Sequence, residues 1–411
     1  MEKIWQKICG GFKRFLIMKK YITIKANEII VYLFLIIVSI QYSLVNTQIE
    51  ISGIESRIFL LIECTLFVLY FYMRKFKLKI ALVICILIFV AGIMYYSTGA
   101  SAFVLMIMIA ILLEKIEYSN VFFVIFVTRL IMLVIVIMFS ILGLLDTYQR
   151  TITKAGTIVT FGYGLGFTHP NRLAYVFLFL SLIFICYKNQ HLKKINILCM
   201  ICLDLIGYKI TKSRTLIVSV LGVSFIICMY QSKYFKQITK KILKIMAIII
   251  MPLCAAVSII IPCLMLTATG RVQTILYEIN GLFSSRFTHI YRAFLNYPLT
   301  LFGGVNDFSK LDTLYNYSTV DNGYIRLLYG FGIIGFVLFI LFSTICIKSI
   351  ADYEEYIYLI AYIAIAVWGI NENVLESFAF NFSIIFWREI LKIFSYKRTP
   401  YRVKNKTFIN K

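Results

Sequence analysis

The feature that most constrains this chain is a succession of apolar runs that approach the thickness of a membrane. Residues 245–266, for example, contain no charged side chain, and about 20 apolar residues suffice for a helix to cross a bilayer. Hydrophobic residues make up 61% of the chain and charged residues 15%, whereas soluble domains are near half apolar and a quarter charged. Because lipid offers the backbone no hydrogen-bond partners, such runs must pair their own backbone groups. The sequence therefore predicts an all-α polytopic membrane protein.

The apolar runs predict about twelve transmembrane helices. These spans cover residues 29–45, 58–72, 79–96, 101–113, 121–145, 172–187, 195–210, 215–230, 245–266, 324–347, 357–370 and 378–394. They form a single transmembrane domain, residues 29–394, between a basic N-terminal segment, 1–28, and a basic tail, 395–411. Two long loops interrupt the domain, at about residues 146–171 and 267–323.

The distribution of positive charge predicts the orientation of the domain. With the N-terminus inside, about two thirds of the 42 Lys and Arg residues lie in the predicted inner segments. Such a bias is expected of cytoplasmic loops, so both termini are predicted to be cytoplasmic and both long loops to face out. The net charge of +23 then reflects topology and contact with the lipid bilayer. It is divided among short loops without forming one docking face, which argues against a nucleic-acid partner.

Four arginines on the predicted outer side stand out against this bias. The first follows "THPN" at the start of the sixth span, the second lies in the tight turn "KSR", and two occur in the stretch "SSRFTHIYRAFLNYP", residues 284–298. They are Arg172, Arg214, Arg286 and Arg292. The planar guanidinium pairs phosphate oxygens with two hydrogen bonds and keeps its charge. We therefore predict that these arginines converge on a phosphorylated lipid.

The stretch 284–298 is predicted to form an amphipathic helix outside the membrane. Ser284 or Ser285 can cap its start, and Pro298 ends it because the residue before a proline avoids the helical conformation. Within this helix the cationic side chains occupy about a third of the circumference. They are Arg286, His289 and Arg292, and the apolar residues opposite are Phe287, Ile290, Tyr291, Phe294 and Leu295. A helix that merely lies on anionic headgroups would show the same pattern.

Several outer segments together resemble a known family. "GFTHPNRLA" (166–174) is similar to a G-x-x-HPN-x-x-A segment, and "SRT" (213–215) occupies the tight turn. Arg292 and Gly303 reproduce an arginine–glycine spacing of a late outer loop, and "VDNGYIRLLYGFG" (320–332) is similar to an (H/D)-N-x-Y-(L/I) motif that leads into a span. In order and location these segments resemble Wzy-type polysaccharide polymerases of the O-antigen ligase/polymerase superfamily.

The resemblance implies a membrane glycosyltransferase with a GT-C-like fold. Such an enzyme joins undecaprenyl-pyrophosphate-linked oligosaccharide repeat units into capsular polysaccharide or exopolysaccharide on the outer face of the cytoplasmic membrane. It works without metal or other cofactor, alongside a flippase and a chain-length regulator. Ligase-like members commonly carry histidine before Asn-x-Tyr, where this chain has Asp321. Aspartate in place of this histidine favours a polymerase over a ligase.

The predicted reaction needs cations and a base. The arginines would stabilise the charge that develops on the leaving pyrophosphate, and a general base would accept the proton of the attacking hydroxyl. The candidate bases are Asp321, ranked first by its motif, and then His289 and His169. Asn171, Asn322 and Tyr324, from the same motifs, complete the predicted substrate-binding set. Helix capping is the alternative role for Asp321, Asn322 and His169.

A transporter or lipid-linked sugar flippase is the main alternative from another class. Carriers usually have related halves and place polar groups at mid-membrane, whereas here the four selected arginines lie in predicted outer segments. Two mid-span charges, Arg129 and Asp204, are predicted either to be functional or to pair with each other.

Overall fold

The computed structural model describes residues 26–49, 53–74, 76–99, 101–154, 157–305, 307–316 and 319–394. Most of the predicted N-terminal segment and the whole predicted tail, 395–411, therefore lie outside the described residues.

The described part of the chain is largely helical, with fifteen α-helices. They are α1 (Ala26–Leu44), α2 (Gly53–Tyr72), α3 (Leu78–Thr98), α4 (Ala102–Leu112), α5 (Tyr118–Ile141), α6 (Pro170–Lys188), α7 (Lys194–Thr211), α8 (Arg214–Gln231), α9 (Lys236–Thr267), α10 (Gly270–Leu282), α11 (Arg286–Asn296), α12 (Ser309–Tyr315), α13 (Gly323–Asp352), α14 (Tyr356–Asn371) and α15 (Arg388–Phe394). Among the described residues, seven helices are long and apolar enough to cross a membrane: α1, α3, α5, α6, α8, α9 and α13. The prediction of a polytopic helical membrane protein is confirmed at this level.

The prediction of one helix over residues 378–394 is wrong. The chain turns after α14, forms a short 3₁₀-helix at Phe382–Trp387 and continues as α15. Every residue from 378 to 391 is buried, and the 3₁₀-helix packs between α4 and α13. Non-helical backbone is tolerated at membrane depth where protein surrounds it, so an apolar run enclosed by helices need not be helical itself.

The loop predicted at 146–171 contains a β-hairpin, which the sequence analysis did not foresee. Strand β1 (Gln149–Lys154) pairs antiparallel with β2 (Thr157–Tyr163). Gly162 packs closely against the end of α7, where a Cβ added to it would lie 2.5 Å from the carbonyl oxygen of Thr211. The all-α prediction therefore holds for the bundle but not for this loop.

Contacts between distant segments gather the long loops at one end of the bundle. Thr47 forms a β-bridge with Phe167, and the Ser97 hydroxyl donates to the Phe302 carbonyl at 3.1 Å. We call this the loop-rich end; its described segments are 45–49, 97–99, 142–154, 157–169, 211–214, 268–305, 307–316, 319–322 and 372–381. Both long loops, which the charge pattern assigned to one side, lie at this end.

Ionic contacts join the short loops at the opposite end. The Asn189 amide donates to Glu355 at 2.8 Å, and Lys244 pairs with Glu354 at 3.3 Å. Arg388, buried beside Tyr118, donates to the Leu113 carbonyl at 3.1 Å. This hydrogen bond joins the start of α15 to the loop between α4 and α5.

The predicted pair of mid-span charges does not form. Arg129 donates to the Ser43 hydroxyl at 3.2 Å and to the Phe378 carbonyl at 3.0 Å. Asp204 accepts a hydrogen bond from Ser181 at 2.5 Å. Helix α6 packs against both α5 and α7 and supplies the partner of Asp204, so the two charged residues have separate hydrogen-bond partners.

Candidate functional site

Helix α11 begins where predicted, but asparagine rather than serine caps it. Ser284 and Ser285 both adopt left-handed backbone conformations, and Ser285 makes no side-chain cap. The Asn280 side chain of α10 accepts from the Thr288 N–H at 3.3 Å and donates to the Thr288 hydroxyl at 2.8 Å. The sharp corner between α10 and α11 is held by this pair of hydrogen bonds.

The two faces of α11 are segregated as predicted. Phe287, Ile290 and Ala293 are buried in a small core that also contains Phe308 of the same outer loop. Because protein covers this apolar face, the helix is not simply floating on lipid headgroups. Leu295, which the pattern placed on the apolar face, is 56% exposed.

The first cation of α11 forms an ion pair with a residue that the sequence analysis did not select. Arg286 Nη2 donates to Glu372 Oε1 at 2.8 Å. Glu372 directly follows α14 and is only 2% exposed. A buried carboxylate is costly unless it is paired, so this contact anchors α11 on the bundle.

Glu372 also links α11 to the start of α6. Its second carboxylate oxygen accepts a hydrogen bond from the Tyr175 hydroxyl. The Tyr175 ring packs edge-on against Trp368, with ring centroids 5.3 Å apart, and the Arg172 guanidinium lies 5.5 Å from the Tyr175 ring centroid. Arg172 and Arg286, predicted to converge, therefore both approach Tyr175.

Asp321 lies in the same neighbourhood. Its charge acts on Tyr175, Arg286, His289 and Glu372, and the residue is half-buried. We call the set Arg172, Tyr175, Arg286, His289, Asp321 and Glu372 the polar cluster. It brings together a carboxylate and an imidazole able to accept protons and two guanidinium groups able to bind anions.

Asn322, and not Asp321, is the cap of α13. The Asn322 side-chain oxygen accepts the Ile325 N–H at 3.0 Å, and its amide donates to Ser258 at 3.0 Å and to the Ile370 carbonyl at 2.8 Å. The capping alternative for Asp321 is therefore not realised. Asn322 is fully buried, which gives its side chain a positioning role beneath the polar cluster.

Tyr324 is enclosed in the same way. Its side chain is fully buried, and its hydroxyl donates to the Ala366 carbonyl of α14 at 2.8 Å. Like Asn322, it supports the junction of α13 and α14 below the cluster, although the sequence analysis placed both residues in contact with substrate.

The "THPNR" segment starts α6 and positions Arg172. His169 is the N-cap, and its Nδ1 accepts the Asn171 N–H at 3.1 Å. Pro170 occupies the first helical turn, where its missing N–H costs nothing. The capping alternative for His169 is therefore realised, and Asn171 contributes its backbone to this turn.

Burial and neighbouring charges shift the protonation of two members of the polar cluster. Burial, together with the positive charges of Arg292 and Arg286, lowers the pKa of His289 below its ordinary value. Burial raises the pKa of Glu372, an effect that Arg286 opposes. His289 is therefore neutral at neutral pH and able to accept a proton.

A cavity of about 450 Å³ opens beside the polar cluster. Its walls are α8, α14 and the corner between α10 and α11. It is lined by Arg214, Thr215, Val218, Ser219, Gly222, Val223, Ile226, Leu282, Phe283, Ser284, Arg286, Ile360, Ile363, Ala364, Val367, Trp368 and Asn371. From Arg214 to Ile226 the lining follows α8 for about 18 Å. The deeper walls are apolar, and both arginines lie at the loop-rich end.

Both cavity arginines have unused hydrogen-bonding capacity. Arg286 Nη1 is buried and has no hydrogen-bond partner among the described residues. Arg214 is exposed and forms no salt bridge with any residue that the structure describes. Arg292 lies elsewhere, stacked 4.4 Å from the ring centroid of Tyr315. Three of the four predicted arginines thus lie in the cluster or line its cavity, and the charge of Arg292 acts on His289.

The sequence analysis missed the acidic half of the site. Glu372 and Glu376 lie in "NENVLES", residues 371–377, and Glu376 pairs with Arg326 at 3.4 Å. Two acidic residues in a short outer loop are a usable signal, because the whole chain contains only 19 Asp and Glu. Their partners could not be read from the sequence.

No protein-family model, curated protein or solved structure matches this chain. Within the described residues, no group of three or more His, Cys, Asp or Glu side chains could hold a metal ion.

Proposed function

We propose that this protein is a glycosyltransferase that polymerises undecaprenyl-pyrophosphate-linked oligosaccharide repeat units into capsular polysaccharide or exopolysaccharide. The observation that carries the proposal is the shared position of Arg214 and Arg286 at one end of an otherwise largely apolar cavity. An isoprenoid pyrophosphate has the matching form, an anionic head on an apolar tail. Guanidinium groups suit the head, and the walls of α8 and α14 suit the tail.

The proposed orientation puts the loop-rich end outside the cytoplasmic membrane. The chain then makes twelve traverses if α4 and the buried segment 378–394 are counted with the helices. Support comes from the basic short loops 188–194 and 231–244, which lie opposite the loop-rich end next to Glu354 and Glu355. The GT-C-like fold belongs to the same proposal and rests on the resemblance of the outer motifs.

The reaction would be a direct displacement. The hydroxyl oxygen of the acceptor sugar attacks C1 of the donor sugar, and the bond from C1 to the pyrophosphate oxygen breaks. The electron pair leaves on undecaprenyl pyrophosphate, whose charge Arg286, Arg214 and Arg172 stabilise. The proton of the hydroxyl passes to the base.

Asp321 is our first choice for that base. Its carboxylate is not used as a helix cap, it is half-buried, and its charge acts on Arg286 and His289. His289 is the second candidate, because its lowered pKa keeps it neutral. His169 has weaker support, since its Nδ1 caps α6.

The test uses the purified protein in liposomes. The substrate is the lipid-linked single repeat unit extracted from source cells that lack this protein, and products are separated by mass. We expect a ladder of multimers from the wild type and from Arg271→Gln, a change of an exposed arginine in α10 that does not line the cavity. Arg286→Gln should give single units only.

Other products would identify other activities. Transfer of one glycan to a different acceptor, without a ladder, would show a ligase. Single units that cross to the other leaflet without being joined would show a flippase and overturn the proposal.

A further inference from the structure

Glu372, whose buried carboxylate pairs with Arg286, takes no part in the proposed reaction itself. Backbone hydrogen bonds hold Glu372 tightly, since its N–H donates to the Trp368 carbonyl at 3.1 Å and its carbonyl accepts the Val374 N–H at 2.9 Å. Its side chain faces into protein, 2% exposed. Glu372 is therefore a fixed point against which mobile side chains can be oriented.

Both oxygens of this carboxylate are engaged, each with a different helix. One accepts from Arg286 Nη2 on α11, and the other accepts from Tyr175 on α6. The second amino group of Arg286, Nη1, has no hydrogen-bond partner among the described residues. Glu372 thus engages Nη2 of the guanidinium, while Arg286 also lines the cavity.

Stability alone does not explain the buried ion pair of Arg286 with Glu372. Replacing a buried ion pair by apolar residues is often neutral or stabilising, so we look for a functional role of the pair. Without the negative charge of Glu372, Asp321 becomes an alternative partner of Arg286, because its charge already acts on the guanidinium. That contact would engage the proposed base and turn the guanidinium away from the cavity.

Resting on the function proposed above, we propose that Glu372 is a positioning residue that orients Arg286 toward the pyrophosphate of the lipid-linked substrate. Glu372 does not touch the substrate. It holds the arginine fork at the end of the cavity and keeps that fork away from Asp321.

Glu376, four residues after Glu372, provides a matched control. Glu376 belongs to the same loop and also pairs with an arginine, but its side chain is 26% exposed and the Arg326 pair is longer, 3.4 Å. Neither Glu376 nor Arg326 lines the cavity.

The experiment measures binding of undecaprenyl pyrophosphate to the full chain in nanodiscs. We expect Glu372→Gln to weaken the affinity about tenfold or more, the scale of one charge-assisted interaction. Glu376→Gln should remain within about twofold of the wild type. An unchanged affinity for Glu372→Gln would overturn the proposal, and so would an equal loss for both variants.

A double variant separates orientation from bracing. In Arg286→Gln the group that Glu372 would orient is already absent. If Glu372 orients Arg286, adding Glu372→Gln to Arg286→Gln weakens binding no further than about twofold. A further loss of about tenfold in the double variant would show a merely structural role and overturn the inference. Binding by the wild type without any glycan ladder would overturn the polymerase proposal alone.

Discussion

The backbones of Gly303 and Gly332 touch where the outer loop crosses α13. A Cβ added to Gly332 would lie 2.2 Å from the Gly303 nitrogen, and both residues have positive φ angles, +84° and +70°. Just beside them, the Ile333 N–H donates to the Thr300 carbonyl at 3.0 Å. The break in α13 at Gly332 thus frees backbone groups that the loop satisfies, which fixes the position of the loop that carries α11.

Gly332→Ala should destabilise the protein strongly. With φ +70° and ψ −179°, Gly332 lies in a backbone region that is essentially confined to glycine and costs another residue about 1–3 kcal/mol, and the clash with the loop backbone adds to this. We expect a clearly lower melting temperature in detergent than for Gly281→Ala, a change in α10 where the new Cβ meets nothing within 4 Å. Equal melting temperatures would show that the contact does not hold the loop.

Arg214→Gln should weaken binding of undecaprenyl pyrophosphate about tenfold, because it removes one charge-assisted contact. The dependence of the affinity on salt should weaken as well, since the exposed guanidinium acts through a screened field. Titrations at two ionic strengths check both effects. Arg271→Gln serves as the control, and an equal loss in that variant would point to general surface charge.

Gly222→Leu should block the apolar part of the cavity. A Cβ at Gly222 meets nothing within 4 Å, and the residue lines the cavity, so the leucine fills space that a lipid tail would occupy. Binding of undecaprenyl pyrophosphate should fall, while binding of inorganic pyrophosphate should not. Gly92→Leu in α3, also open but away from the cavity, should leave both unchanged. Loss of pyrophosphate binding in Gly222→Leu would contradict this division of the site.

Asp321→Asn should abolish polymer formation and spare substrate binding. The change removes the proposed proton acceptor, whereas the cap of α13 belongs to Asn322 and stays intact. We expect the turnover number to fall by at least about 100-fold, with the lipid-pyrophosphate affinity within about threefold of the wild type. If turnover persists, His289 becomes the first candidate base.

His289 should make the protein less stable in acid. Its folded-state pKa is lowered from 6.5, so the unfolded chain binds the proton more readily than the folded chain does. The free energy of unfolding therefore decreases as pH falls below about 6.5, and the decrease levels off below the folded-state pKa. Melting temperatures of His289→Asn should show a smaller acid loss than the wild type. His191→Asn, changed at an exposed position of the opposite end, should follow the wild type.

The site divides into residues that local patterns predicted and residues that they did not. Helix α11 with its cationic face followed from spacing and from Pro298, and the convergence of Arg172 with Arg286 followed from the shared outer location of their segments. Glu372 was missed although it binds Arg286, because 86 residues separate the two along the chain. The roles of Asp321 and Asn322 stayed open, since either residue suits the start of α13.

The sequence by itself determined that this is a helical membrane protein and which segments lie at the same end of its bundle. The reason is that an apolar run long enough to cross a bilayer favours a helix whatever its neighbours are, and successive spans carry the chain from one end of the bundle to the other. Only the tertiary structure decided that residues 378–391 are buried without forming one helix and that a hairpin packs on the end of α7. It also decided that the buried Glu372 pairs with Arg286. These outcomes depend on which distant segments pack together, and the apolar character of a segment does not specify its neighbours.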